Sequence, residues 1–171
     1  MLVLERADFA AARGARVLGR LAGIGVTSDA YHITGPDPSG DGQVRAVLKA
    51  VADAGLTPAD VDHVNAHATS TVLGDAGEAR AVRRALGGDV VLTAPKSALG
   101  HLVGAAGAVE AIATLLSVRN GLVPPTLNLE DQDPEVQLDV VSGKPRELAI
   151  GAALSNSFGF GGQNVSVLFT A

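Results

Sequence analysis

Two of the four histidines stand where chemistry is commonly done in α/β proteins. His67 closes an apolar run, Val64-Asn-Ala-His67, and opens into the small polar residues Ala68-Thr-Ser-Thr71. A strand end of this kind is where ligands approach a parallel sheet. A histidine satisfied by neighbouring backbone reads equally well there. His101 stands near the start of an Ala-rich stretch, Leu99 to Asn120, expected to form one long helix with Ser97 as a cap. Unpaired N–H groups and the dipole at a helix start disfavour a cation, so the imidazole would stay neutral. A neutral imidazole offers one N–H to a developing oxyanion. The plain alternative is a terminal histidine with no task.

Lys96 lies just upstream of His101 and needs a partner if buried. Glu78 is the expected one, although an ordinary ion pair would explain both. Phe158-Gly-Phe160-Gly-Gly162 follows Ser155-Asn-Ser157. Its glycines fit neither a dinucleotide fingerprint nor a phosphate loop. Successive glycines permit sharp turns that aim N–H groups inward, as an oxyanion hole requires, and they equally permit a tight hairpin. Gly100, Gly104 and Gly107 form a small-residue face expected to pack closely on a second buried helix; His101 and Glu110 rule out a membrane dimer motif. No metal spacing is present. His63 and His67 would lie on the same strand face but too far apart for one ion, with no further ligand nearby.

The elements that must position these groups alternate. Met1 to Glu5 reads as a strand, Asp8 to Arg13 as a short helix and Val17 to Val26 as a long strand. Thr27 to Gly42 is a polar loop. Val44 to Ala54 is a helix ended by Gly55, and Thr57-Pro58 starts a short one. Strands follow at Val61 to His67 and Asp89 to Thr93, separated by a helix from Asp75 to Leu86. After the Ala-rich helix come strands at Leu138 to Val141, Leu148 to Ser155 and Val165 to Phe169. The order predicts an α/β fold with a mixed sheet.

Composition sets the exclusions. The 171 residues carry a formal charge of −5 and 3% aromatics, with no Lys/Arg cluster, which argues against nucleic acid. No stretch of about 18 residues is free of charges or turn formers, so no membrane span is expected. A soluble, cytoplasmic protein is the expectation. There is no cysteine, which excludes disulfides, thiolate metal sites and a cysteine nucleophile within these residues. A chain that opens on a core-type strand is expected to have been cut rather than begun.

The blocks TSDAYHITGPDPSG, VNAHATSTVLGDAGEA, APKSALGHLVGAAGAVEAI, GLVPPTLNLE and LSNSFGFGGQNVSVLF occur in this order from about Val17 to Phe169. Together they resemble the beta-ketoacyl-acyl carrier protein synthases, the type II elongating enzymes of the thiolase-like superfamily, in their carboxy-terminal half. The resemblance implies a thiolase-like α/β half-domain, with a mixed five-stranded sheet and helices packed on it, across residues 1–171. Residues 1–16 would be the tail end of the amino-terminal half. It implies decarboxylative Claisen condensation in fatty acid elongation, no cofactor and no metal, acyl carrier protein as partner and a homodimeric parent enzyme. A non-catalytic pairing module, or a polyketide-type condensing partner, is the alternative.

By the same resemblance His67 and His101 match the two active-site histidines, Lys96 the family lysine and Glu78 its accompanying acid. Thr69 and Thr71 match the contacts to the phosphopantetheine arm. Phe160, between Gly159 and Gly161, matches the gating phenylalanine whose backbone N–H contributes to an oxyanion hole. Ala68 departs from the family's usual glycine. The larger departure is the nucleophilic cysteine, which belongs to the amino-terminal half; without it this chain is expected to be inactive alone.

Overall fold

Two glycines in the first long strand determine how closely a helix can lie on it. A Cβ on Gly23 would meet the carbonyl oxygen of Ala50 at 2.1 Å, and one on Gly25 the carbonyl oxygen of Ala46 at 1.8 Å. Backbone therefore packs directly on backbone, with Ala46 and Ala50 completely buried.

The computed structural model describes residues 2–171. A helix at Ala7–Ala12 (α1) precedes the glycine-bearing strand, Arg20–Ser28 (β1), and its covering helix, Asp41–Asp53 (α2). Then come His63–Asn65 (β2), Val72–Leu86 (α3), Val91–Thr93 (β3), Lys96–Leu99 (α4), Ala106–Asn120 (α5) and Leu122–Val123 (β4). Asp139–Val140 (β5), Arg146–Glu147 (β6), Ala152–Gly159 (β7) and Gln163–Thr170 (β8) complete the chain. The main sheet has six strands in the order β1-β8-β7-β2-β3-β5. It is mixed: β7, β2, β3 and β5 run parallel, while β8 is antiparallel to both β7 and β1.

Helices cover both faces. On one, Val47 and Val51 of α2 and Val82 of α3 pack with Val64, Leu92, Leu154 and Leu168 of the sheet. On the other, Ala111 and Val118 of α5 pack with Val91, Ala153 and Phe169. The segment of α5 is apolar nearly all round, as a helix enclosed on every side would be, yet Leu116 is exposed. Ile24 and Val26 of β1 are exposed as well.

The α/β class and the mixed sheet agree with the sequence reading; the sheet has six strands rather than five. Leu2–Glu5 form no strand, because no neighbour offers a ladder and Glu5 instead accepts from Arg13; Met1 lies outside the described residues. The helix expected from Asp75 begins earlier, at Val72, and Asp75 Oδ1 instead accepts the Ser70 N–H at 3.1 Å. Residues 148–150 leave the sheet, because Gly151 N–H is taken by Asp62 Oδ2 at 2.7 Å and the strand starts only at Ala152. The stretch Leu99–Asn120 is not one helix: Gly100, at φ +72°, ends α4, and a 3₁₀ turn at Val103–Ala105 precedes α5. Ser97 consequently lies inside α4, donating to Ala94 O at 2.6 Å and accepting from Leu127 N–H at 2.8 Å. The glycine run packs on no second helix; of the three, Gly107 approaches Ser157 of β7, and Gly100 and Gly104 face open space.

His63 is fully buried in β2, where Nδ1–H donates to Val91 O at 3.0 Å and Nε2 has no partner among the described residues. Burial pushes its pKa down to about 4. Between about pH 6.5 and 4 the unfolded chain therefore binds the proton that the folded chain rejects, and stability falls as pH falls. The expected result is a urea midpoint lower at pH 5 than at pH 7. His63→Leu should remove part of that difference, and an unchanged difference would assign the acid sensitivity elsewhere.

Candidate functional site

The site is built where β2 and β3 end side by side. Beyond β2 the chain turns through Ala68, at φ +27°, and Ser70, at φ +66°. An L-residue is strained in this region, so something must hold the turn. Glu78, 3% exposed on α3, does so: Oε1 accepts His67 N–H at 2.9 Å and Oε2 accepts Ala68 N–H at 2.8 Å. Asn156 Nδ2 donates to Glu78 Oε1 at 3.1 Å, and Ser166 Oγ donates to Asn156 Oδ1 at 2.8 Å. Burial raises the Glu78 pKa while these donors pull the other way.

Glu78→Gln leaves one carbonyl oxygen where two carboxylate oxygens accepted. One buried N–H then loses its acceptor, at a cost of about 1–3 kcal/mol. A urea midpoint unchanged by this substitution would show that the clamp contributes nothing.

Lys96 begins α4 directly beyond β3 and is 8% exposed. Its ammonium lies 2.5 Å from Glu110 Oε1 on α5, the Glu110 side chain being 2% exposed. This corrects the expected pairing with Glu78. The lysine turns to the face of the sheet that carries α5, whereas Glu78 comes from the opposite face and spends its oxygens on the backbone of the turn and on Asn156. Burial raises the Glu110 pKa, and Lys96 and His101 counteract it. Asn65 fastens α5 to β2, with Nδ2 donating to Glu110 O at 3.1 Å and Thr114 Oγ1 at 3.0 Å.

His67 and His101 come together. Their ring centroids are 5.7 Å apart and the planes are nearly perpendicular, at 87°. Phe158 lies beside His67, at 6.2 Å between centroids. Burial first, then the charges of Lys96 and His101, push the His67 pKa down to about 4, so the ring is neutral near pH 7. His101 is exposed in the bend between α4 and the 3₁₀ turn rather than at a helix start. Its Nδ1 accepts Val103 N–H at 3.1 Å, and Val103 is held at φ +50°, a region costly for a β-branched residue. With Nδ1 committed as acceptor, the neutral ring carries its proton on Nε2. Two adjacent imidazoles of this kind can donate N–H to one anionic oxygen.

Thr69 and Thr71 lie on the turn that follows, their hydroxyl oxygens 3.3 Å apart. A cavity of about 320 Å³ opens beneath that turn, lined among others by Ala68, Thr71, Asp75, Thr93, Leu129 and Val136. Phe160 is 79% exposed at the tip of the β7–β8 hairpin, so the tight-hairpin reading of FGFGG holds. Gly161 N–H is already taken by Ile33 O at 2.9 Å and is not free for a substrate oxygen. The tip is tied to the 29–40 loop again through Asn164 Nδ2, which donates to Asp29 Oδ1 at 2.6 Å. Among the described residues no cluster of side chains suits a metal ion.

The sequence pattern described as Beta-ketoacyl synthase, C-terminal domain, matches residues 18–130. The chain belongs to the beta-ketoacyl synthase family. It is 52% identical over 170 residues to 3-oxoacyl-(acyl-carrier-protein) synthase 2 of Mycobacterium tuberculosis, covering 99% of this chain and 41% of that protein. It is 48% identical to the Synechocystis protein of the same name, with the same coverage. A beta-ketoacyl synthase crystal structure from Burkholderia phymatum superposes with a TM-score of 0.94 at 38% identity, over 97% of this chain and 40% of that one. A structure described as a type II PKS acyl-carrier protein in complex with its ketosynthase gives a TM-score of 0.93 at 32% identity, over 98% of this chain and 42% of that one. The chain thus spans about two fifths of the length of these relatives. Sequence reasoning missed two residues that contact the candidate site in this beta-ketoacyl synthase domain, Glu110 beside Lys96 and Asn156 beside Glu78; neither has a spacing signal to single it out.

Proposed function

We propose that this chain is the carboxy-terminal half of a 3-oxoacyl-acyl carrier protein synthase, and that it supplies the donors for decarboxylative condensation. The observation that carries the reading is the pairing of His67, held neutral by burial, with His101, 5.7 Å away, whose Nδ1 accepts Val103 N–H and leaves Nε2 to donate. Loss of CO2 from a malonyl thioester leaves its electron pair as an enolate, with negative charge on the thioester oxygen. Two N–H groups aimed at that oxygen stabilise it. The enolate carbon then attacks an acyl thioester on a cysteine of the amino-terminal half; the acyl C–S bond breaks and thiolate leaves. Neutral rings suit this better than cations, because they do not hold the starting carboxylate in a salt bridge.

Burial keeps His67 deprotonated, the charge of Lys96 adds to that effect, and Glu78 holds the His67 turn in place. Thr69 and Thr71 contact the phosphopantetheine arm. Phe160, with Gly159 and Gly161, gates the entrance, a role its exposed side chain supports. The partners are acyl carrier protein thioesters, the parent enzyme is a cytoplasmic homodimer serving fatty acid elongation, and residues 1–16, ahead of the matched segment, are the tail end of the amino-terminal half. Among the described residues no helix is long and apolar enough to cross a membrane.

Joining the amino-terminal part of the Mycobacterium tuberculosis relative to this chain should give an enzyme that condenses acyl and malonyl thioesters on acyl carrier protein. A folded chimera that takes up the acyl group and releases neither CO2 nor 3-oxoacyl product would defeat the reading. The chain alone should retain no covalent label from radiolabelled acyl-acyl carrier protein, since it has no thiol; stable label on it would overturn that. The similarity to a type II PKS ketosynthase favours a second reading, a non-catalytic pairing module or polyketide-type partner. Under that reading the chimera would still assemble, and replacing both histidines would leave its assembly and output unchanged.

A further inference from the structure

The free edge of β1 is the longest run of open backbone in the sheet. β1 has nine residues, pairs with β8 on one side and ends the strand order on the other. In an antiparallel strand, residues of one parity direct both N–H and C=O to the same side. Here the outward parity is that of Ile24, Val26 and Ser28. Such an edge is a template for adding another strand.

Three side chains of α2 reach those groups. Asp53 Oδ2 accepts Ile24 N–H at 3.0 Å, Lys49 Nζ donates to Val26 O at 3.5 Å, and Arg45 donates to Ser28 O at 3.4 Å. Positions 45, 49 and 53 form one stripe with four-residue spacing, and all three residues are exposed. The stripe can reach because Gly23 and Gly25 let α2 lie directly on the strand. The order of charges matches the groups met: anion on N–H, cations on carbonyls.

We propose that the Arg45–Lys49–Asp53 stripe is a built-in seal that denies the β1 edge to strand addition. The exposed apolar residues Ile24 and Val26 are then left to be covered from the face of the sheet and not from its edge. The seal works against pairing with an extended segment, including β1 of a second copy. It is independent of the activity proposed above.

Amide hydrogen exchange tests the geometry in the unsubstituted chain. Ile24 and Val26 N–H both point outward, and the Asp53 contact should slow Ile24 at least tenfold relative to Val26. Asp53→Ala should abolish that difference and Asp53→Asn should keep most of it. Equal exchange at the two sites, or no response to Asp53→Ala, overturns the proposal. For the seal itself, the probe is a fluorescein-labelled peptide RLAGIGVTS, the sequence of β1. The variant Arg45→Met/Lys49→Met/Asp53→Ala should bind it saturably, at least tenfold more tightly than the unsubstituted chain. Equal binding, or no binding to a variant with unchanged circular dichroism, overturns it.

Discussion

His101→Ala in a chimera carrying the catalytic cysteine should lower the condensation kcat about 10²- to 10³-fold, the usual effect of removing one preorganised donor from an anionic centre. KM for malonyl-acyl carrier protein should change far less, because the Nε2–H is needed where charge develops and not where substrate rests. The geometry behind this expectation is local. Val103 N–H occupies His101 Nδ1, so the ring cannot present the wrong nitrogen without losing a 3.1 Å hydrogen bond. His67→Ala should fall in the same range, and the double variant should lose much less than the product of the two, since both serve one oxygen. The low His67 pKa adds a pH signature: decarboxylation should hold from neutral pH down and fall as pH drops through about 4, where that ring takes up its proton. A rate unaffected by His101→Ala, with acylation of the cysteine intact, would remove the histidine pair from the mechanism.

What was legible in the sequence follows from how locally each feature is determined. The turn bearing His67 could be found because a short apolar strand must end where Ala68-Thr-Ser-Thr71 begins, and three residues of strand precede it. The break before His101 could not. Leu99 to Asn120 has helical composition throughout, and only the positive φ values of Gly100 and Val103 reveal that the chain bends there to bring His101 towards His67. The partner of Lys96 was out of reach for a different reason. Glu78 and Glu110 are both acids on apolar helix faces, at comparable separations along the chain, and nothing in their neighbours distinguishes them. The choice is made by topology: α3 and α5 cover opposite faces of the sheet. Beyond β3 the lysine turns towards α5, while Glu78 is consumed by the strained turn that needs its two acceptors. The small ribbon of β4 and β6 left no sequence signal either, each strand being two residues long.

That buried choice should carry the largest stability effect in the molecule. Lys96→Met leaves the Glu110 carboxylate 2% exposed with no cation beside it, and Glu110→Leu strands the ammonium in the same way. Removing one member of a buried pair typically costs about 3–5 kcal/mol, a large share of the roughly 5–15 kcal/mol that holds a domain of this size. Replacing both, as Lys96→Met/Glu110→Leu, removes the two charges together and should recover most of the loss, so the double variant should unfold at higher urea than either single one. The same pair of experiments separates stability from chemistry. Lys96 is one of the charges that hold the His67 pKa down, so the double variant, though refolded, should show a raised His67 pKa by NMR titration. If the single variants unfold like the parent, the ion pair is not holding α4 against α5. If the double variant is stable and its His67 titration is unmoved, the lysine serves the fold and leaves the histidine to its burial alone.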